Sequence, residues 1–212
     1  MSTTLYLVRH GATASNTARP YRLQGRATDL PLGEEGIAQA RAAAGALSDL
    51  PITAVYASPL VRAIATARLI AEPHGLEPTA VTELIEAELG RWEGLTWDEA
   101  EARDPDHFRR FMADPGTVPY PEGESFADAQ ARALPALARI AAAHEGRVVV
   151  VGHNVVGRSA LAGLLGLPIE RARGMRLANG GISAVEYPPP GQGSPVVVSL
   201  NETLHLVRAG LA

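Results

Sequence analysis

Arg9, His10 and Gly11 follow directly on an apolar run, Leu5-Tyr6-Leu7-Val8. A guanidinium offers a rigid fork of donors that fits a phosphate. An imidazole can act as a nucleophile near neutral pH, and the glycine lets the chain turn. Two further stretches end in comparable groups. Residues 53–57 lead into Ser58-Pro59-Leu60-Val61-Arg62, which puts Arg62 about one turn into a helix, near its positive end. Residues 147–151 lead into Gly152-His153-Asn154. Open α/β sheets place their ligand crevice outside the carboxyl ends of the strands. Two arginines and two histidines converging there would suit a phosphoryl group. A fourth stretch, from Leu84 to Gly94, carries Glu86, Glu88 and Glu93 around Gly90. One of them could serve as general acid, and the residues alone leave the choice open.

The elements that must position these groups are legible as apolar periodicity. Strands are predicted at residues 5–8, 53–57, 147–151, 181–187 and 196–200, and helices at 33–47, 59–71, 96–103, 126–144 and 155–165. Strand and helix alternate through residue 165, the pattern of a layered α/β fold. The last two strands are joined by Pro188-Pro189-Pro190-Gly191-Gln192-Gly193. That link suits a hairpin, and hence a mixed, mostly parallel sheet with an antiparallel edge. Ser58 before Pro59 reads as an N-cap followed by proline at the first helical position. Ser125 with Asp128 approximates a capping box. Residues 104–123, rich in Pro, Asp and Gly, read as a long loop. Such loops are commonly lids or substrate loops, and Asp104-Pro105-Asp106 reads as a turn within it.

Composition narrows the chemistry further. The chain has 212 residues, no cysteine and no lysine; all 19 basic residues are arginine. Disulfides, thiolate metal sites and cysteine-nucleophile phosphatases are excluded, as are P-loop and Schiff-base enzymes that need a lysine. With 46% apolar residues the chain can build a full core. A net charge of −4 gives no broad basic surface for nucleic acid. No leader and no membrane span are legible, so a cytoplasmic protein is expected. A homodimer is the default oligomer.

The motifs, taken in order, resemble the histidine phosphatase superfamily, in its phosphoglycerate-mutase-like branch. They are Arg9-His10-Gly11-Ala12-Thr13 with Asn16; Leu23-Gln24-Gly25 with Asp29, Leu32 and Gly36; Ser58-Pro59-Leu60-Val61-Arg62-Ala63 with Thr66-Ala67; Glu86 four residues before Gly90, then Trp92-Glu93-Gly94; Gly123-Glu124-Ser125; and Gly152-His153. The resemblance covers nearly the whole chain. It implies a three-layer α/β/α sandwich in a single domain over residues 1–212, with a lid around 95–124. It also implies no metal and no cofactor, and it selects Glu86 as the acid.

On this reading His10 attacks phosphorus and must be neutral to do so. Arg9, Arg62 and a protonated His153 would lower its pKa and stabilise the charge on the phosphoryl oxygens. Its second ring nitrogen needs an acceptor, which the sequence does not identify. Glu86 would protonate the leaving alcohol and then activate water, which calls for a raised pKa. Asn16, Gln24, Gly25, Asn154, Trp92 and Arg109 are the substrate-binding candidates. Trp92 alone reads equally as packing, and Arg109-Arg110 equally as solvated charge. The expected activity is metal-independent hydrolysis of a small phosphorylated metabolite through phosphohistidine. A phosphoglycerate mutase-type transferase is the alternative, because its members hold a second anionic group with basic residues near Arg109. A catalytically silent phosphate-binding module ranks third, since Arg9, His10, Arg62, Glu86 and His153 are all present.

Overall fold

The computed structural model describes residues 2–211. Its centre is one six-stranded sheet in the order β3-β2-β4-β1-β5-β6. The strands are β1 (Thr3–Arg9), β2 (Ile52–Ala57), β3 (Thr79–Ala80), β4 (Gly146–Gly152), β5 (Ile182–Tyr187) and β6 (Val196–Glu202). The first four are mutually parallel; β5 runs antiparallel to β1, and β6 antiparallel to β5. The predicted hairpin and mixed sheet are therefore present. Strand β3, two residues long, carries too little pattern to read in advance.

Period-2 alternation sends the strand residues to two cores. Leu5, Val148, Val150 and Val185 belong to one, while Val8, Val55, Val149 and Val151 belong to the other. The first core is covered by α6 (Phe126–Ala142) and α7 (Asn154–Leu164). The second is covered by α2 (Glu34–Leu47) and α3 (Val61–Ala71). This is the expected α/β/α layering. Strands buried on both faces read as near-continuous valine runs, as in β4.

Helix starts follow local chemistry, with two corrections. Ser125 and Asp128 form the predicted capping box at the start of α6. Ser58, in contrast, caps nothing: α3 begins at Val61 with Leu60 at the N-cap position, and the Ser58 hydroxyl is used elsewhere. The predicted 104–123 loop is also half wrong. After α4 (Trp97–Arg103), Pro105 opens a further helix, α5 (Pro105–Ala113). Proline marks turns, but its fixed φ and missing N–H also suit the first position of a helix, where Pro105 stands. Short helices α1 (Ala14–Thr17) and α8 (Leu204–Arg208) complete the set. Among the described residues no helix is long and apolar enough to cross a membrane.

Candidate active site

Parallel pairing brings the three strand ends level. Arg9 stands opposite Gly152, and Ala57 opposite Val151. Just beyond, the His10 N–H donates to Gly152 O at 3.0 Å and the Ser58 N–H to Val151 O at 2.9 Å. The His10 and His153 rings are 5.1 Å apart, centroid to centroid, and both are buried.

The acceptor missing from the sequence reading is the next residue. His10 Nδ1 lies 2.7 Å from Gly11 O. A carbonyl can only accept, so Nδ1 carries the proton and Nε2 holds the free lone pair. Burial, then Arg9, then Arg62, hold the His10 pKa well below its ordinary 6.5. The His10 loop is pressed against the start of α2: a Cβ on Gly11 would sit 2.1 Å from Gly36 O. Glycine at both positions permits this approach.

His153 is held through Nε2, 2.7 Å from Ser58 Oγ. Its Nδ1 is buried and has no partner among the described residues. The sequence reading used a protonated His153. Instead, burial first, and then His10, Arg62 and Arg9, push its pKa well below 6.5. Both imidazoles are neutral at pH 7.

Arg62 is fully buried. Its guanidinium donates to Gly25 O at 2.8 Å and Thr28 O at 3.1 Å, and pairs with Asp29 at 3.4 Å. That loop is fixed in turn by Glu93, whose Oε1 accepts from the Gly25 and Thr28 N–H groups. Gly25 therefore positions Arg62 and does not line the cavity. Arg9 donates to Leu177 O at 2.7 Å.

Glu86 is buried at the start of α7. Its Oε2 accepts from the N–H groups of Asn154 and Val155, and its Oε1 from those of Val156 and Ala87, at 2.9–3.2 Å. A carboxylate thus takes the role of an N-terminal cap from a distant part of the chain.

A cavity of about 470 Å³ opens beside these groups. Arg9, His10, Asn16, Gln24, Glu86 and Asn154 line it; Arg62 and His153 stand beside His10, outside that lining. Asn16 Oδ1 accepts from Thr13 and from Asn179 Nδ2, which leaves the Asn16 amide N–H groups to donate. Gln24 is braced by Thr13 and Thr28.

Besides Gly25, two substrate-binding candidates are corrected. Trp92 is fully buried, donates to Asp104 at 2.9 Å, and packs against Trp97, Phe108, Phe111 and Tyr120. Its bulk and its N–H are both spent in the core. Arg109 is exposed, pairs with Asp106 one turn back, and does not line the cavity. The sequence reading missed Tyr21, Trp97, Arg158, Arg173, Arg176 and Asn179, all in the cavity wall. Only Arg158 had a local signal, one helical turn after Asn154.

An imidazole of fixed tautomer with a free ring nitrogen, beside the Arg9 and Arg62 guanidinium groups at the carboxyl edge of a sheet, is an arrangement suited to handling a phosphoryl group. The chain belongs to the histidine phosphatase superfamily (branch 1), whose family model matches residues 5–203. It is 33% identical to phosphoserine phosphatase 1 of Hydrogenobacter thermophilus, over 95% of this chain and 93% of that one. A bifunctional protein of Mycobacterium tuberculosis is 40% identical over 72% of this chain; the match spans 41% of that relative's length. A solved phosphoserine phosphatase from Entamoeba histolytica, in complex with 3-phosphoglyceric acid, superposes with a TM-score of 0.84 at 29% identity. That superposition covers 96% of this chain and 99% of that one.

Proposed function

We propose that this protein is a phosphomonoesterase that hydrolyses a small phosphorylated metabolite through a phosphohistidine intermediate on His10 Nε2, without a metal. The observation that carries this reading is the 2.7 Å contact between His10 Nδ1 and Gly11 O, which leaves Nε2 unprotonated and its lone pair free. Nε2 attacks phosphorus, the bond to the ester oxygen breaks, and the leaving oxygen takes a proton from Glu86. Water then gives its proton to Glu86 and attacks phosphohistidine, releasing phosphate and His10. Arg9, Arg62 and Asn16 are the donors for the phosphoryl oxygens, and Asn154 and Gln24 face the substrate.

His153 contributes as a neutral donor. The Leu60 N–H points at Ser58 Oγ. On this reading the Ser58 hydroxyl donates to His153 Nε2 across 2.7 Å, and His153 Nδ1 carries the proton offered to the anion. The four N–H contacts of Glu86 occupy its lone-pair positions. To give or take a proton, Glu86 releases one of them. A metal is not needed, because guanidinium groups occupy the place where one would neutralise the phosphate. No cluster of three or more His, Cys, Asp or Glu residues fit for a metal occurs among the described residues.

The mutase alternative loses its main support with Arg109 outside the cavity. The test is rapid quench into alkaline SDS with an ester labelled in its phosphoryl group. The expected result is an acid-labile labelled histidine, absent from His10→Ala together with turnover. Turnover retained in His10→Ala would overturn the reading.

A further inference from the structure

The cavity holds more positive charge than one phosphoryl group requires. Arg9 and Arg62 already serve the strand-end site. Three further arginines, Arg158, Arg173 and Arg176, line the same cavity. Against these five guanidinium groups stand the phosphoryl dianion of a substrate, Asp29, which pairs with Arg62, and Glu86, the carboxylate in the lining. The three extra arginines form no ion pair with any described residue, whereas arginines elsewhere on the chain, such as Arg91, Arg132 and Arg139, pair with Asp or Glu. Arg158 Nε is buried and without a partner. The guanidinium of Arg173 lies over the Trp97 ring at 5.3 Å, which fixes it without neutralising it.

These three side chains make one wall. Arg158 is one turn along α7 from Asn154, so it is set back about 5 Å along the helix axis from the end that Glu86 caps. Arg173 and Arg176 come from the segment that continues to Leu177, whose carbonyl holds Arg9, and to Asn179, whose amide donates to His10 O. The segment that braces the nucleophile therefore also carries the extra charge. Guanidinium groups left unpaired in a partly buried cavity await a planar or tetrahedral anion that can accept from their fork.

Resting on the phosphatase reading, we infer that Arg158, Arg173 and Arg176 form a second anion subsite, and that the preferred substrates carry a carboxylate or a second phosphate beside the ester being cleaved. Carboxylate and phosphate share this recognition chemistry, and paired substrates tell them apart.

The test compares kcat/KM within pairs. O-phosphoserine against O-phosphoethanolamine differs only in the carboxylate. Fructose 1,6-bisphosphate against fructose 6-phosphate differs only in a second phosphate. p-Nitrophenyl phosphate reports the phosphatase chemistry itself. At least one anionic member should exceed its partner by roughly 10–100-fold, the range of one or two charge-assisted hydrogen bonds. Arg158→Gln, Arg173→Gln and Arg176→Gln should each narrow that ratio, and Arg158→Lys should restore part of it. The wild-type ratios stand whether or not a variant folds. Aryl phosphate hydrolysis with both ratios near one would overturn the subsite and leave the phosphatase reading intact. A large ratio unchanged in all three glutamine variants would overturn the assignment to these arginines. Failure to hydrolyse any of the five esters would sink the phosphatase reading and the subsite with it.

Discussion

At the scale of single residues, the site works by placing neutral groups among cations. His10 and His153 are both buried, with pKa values held well below 6.5 in the folded chain. An unfolded chain takes up protons on these histidines as pH falls through about 6.5. The folded chain does not, so the unfolded state binds more protons in that window. Stability therefore falls as pH drops below 6.5, by up to about 1.4 kcal/mol per pH unit per histidine, until the folded pKa is reached. Urea unfolding at pH 7.5 and pH 5.5 should show the drop. A His10→Asn/His153→Asn variant should lose most of it, whatever its absolute stability.

Glu86 poses a different question, because it caps a helix and is also the proposed proton donor. Glu86→Gln puts an amide nitrogen among backbone N–H donors and removes the transferable proton. Hydrolysis of an alkyl phosphate should slow roughly 10²–10⁴-fold. An aryl phosphate, whose leaving group needs no proton, should slow far less. Equal losses on both substrates would assign Glu86 to capping alone.

At the scale of elements, the decisive contacts are close approaches between loops and strand ends. The loop that holds Arg62 is pinned by Glu93 to the backbone of Gly25 and Thr28. A Cβ at Gly25 would lie 2.5 Å from Glu93 Oε2 and 2.6 Å from Ala87 O. Gly25→Ala should destabilise the fold by about 1–3 kcal/mol, the usual cost of overpacking. It should also lower kcat through a displaced Arg62. Thermal melts and steady-state kinetics on the same variant would measure both. A loss of kcat with no change in melting would mean that the loop yields without cost.

At the scale of the whole molecule, residues 95–124 are part core and part cavity wall. Trp92 anchors an aromatic cluster with Trp97, Phe108, Phe111 and Tyr120, and of these Trp97 and Tyr120 also face the cavity. Trp92→Ala should cost about 3–5 kcal/mol, as large aromatic truncations do, and it leaves Asp104 without its indole donor. Arg109→Ala, at an exposed site paired with Asp106, should leave kcat/KM within about twofold, since surface changes of this kind are nearly neutral. A larger loss there would return the mutase-like reading to consideration.

The strand ends and the groups they carry follow from local pattern along the chain. Buried parallel strands must be apolar runs, and polar residues directly after them must emerge at the sheet edge, so Arg9, His10, Arg62 and His153 were legible from local pattern. The family's spacing selected Glu86, although not the helix end it caps. The other features emerge on folding, because each pairs residues far apart in the chain. Ser58 turns from capping to holding His153. Trp92 is drawn into the core by partners up to 28 residues away. Arg158, Arg173 and Arg176 become one charged wall only after α7 and the segment behind it fold over the cavity. Spacing along one chain can report a helix turn or a strand end; it cannot report which distant surfaces will face each other.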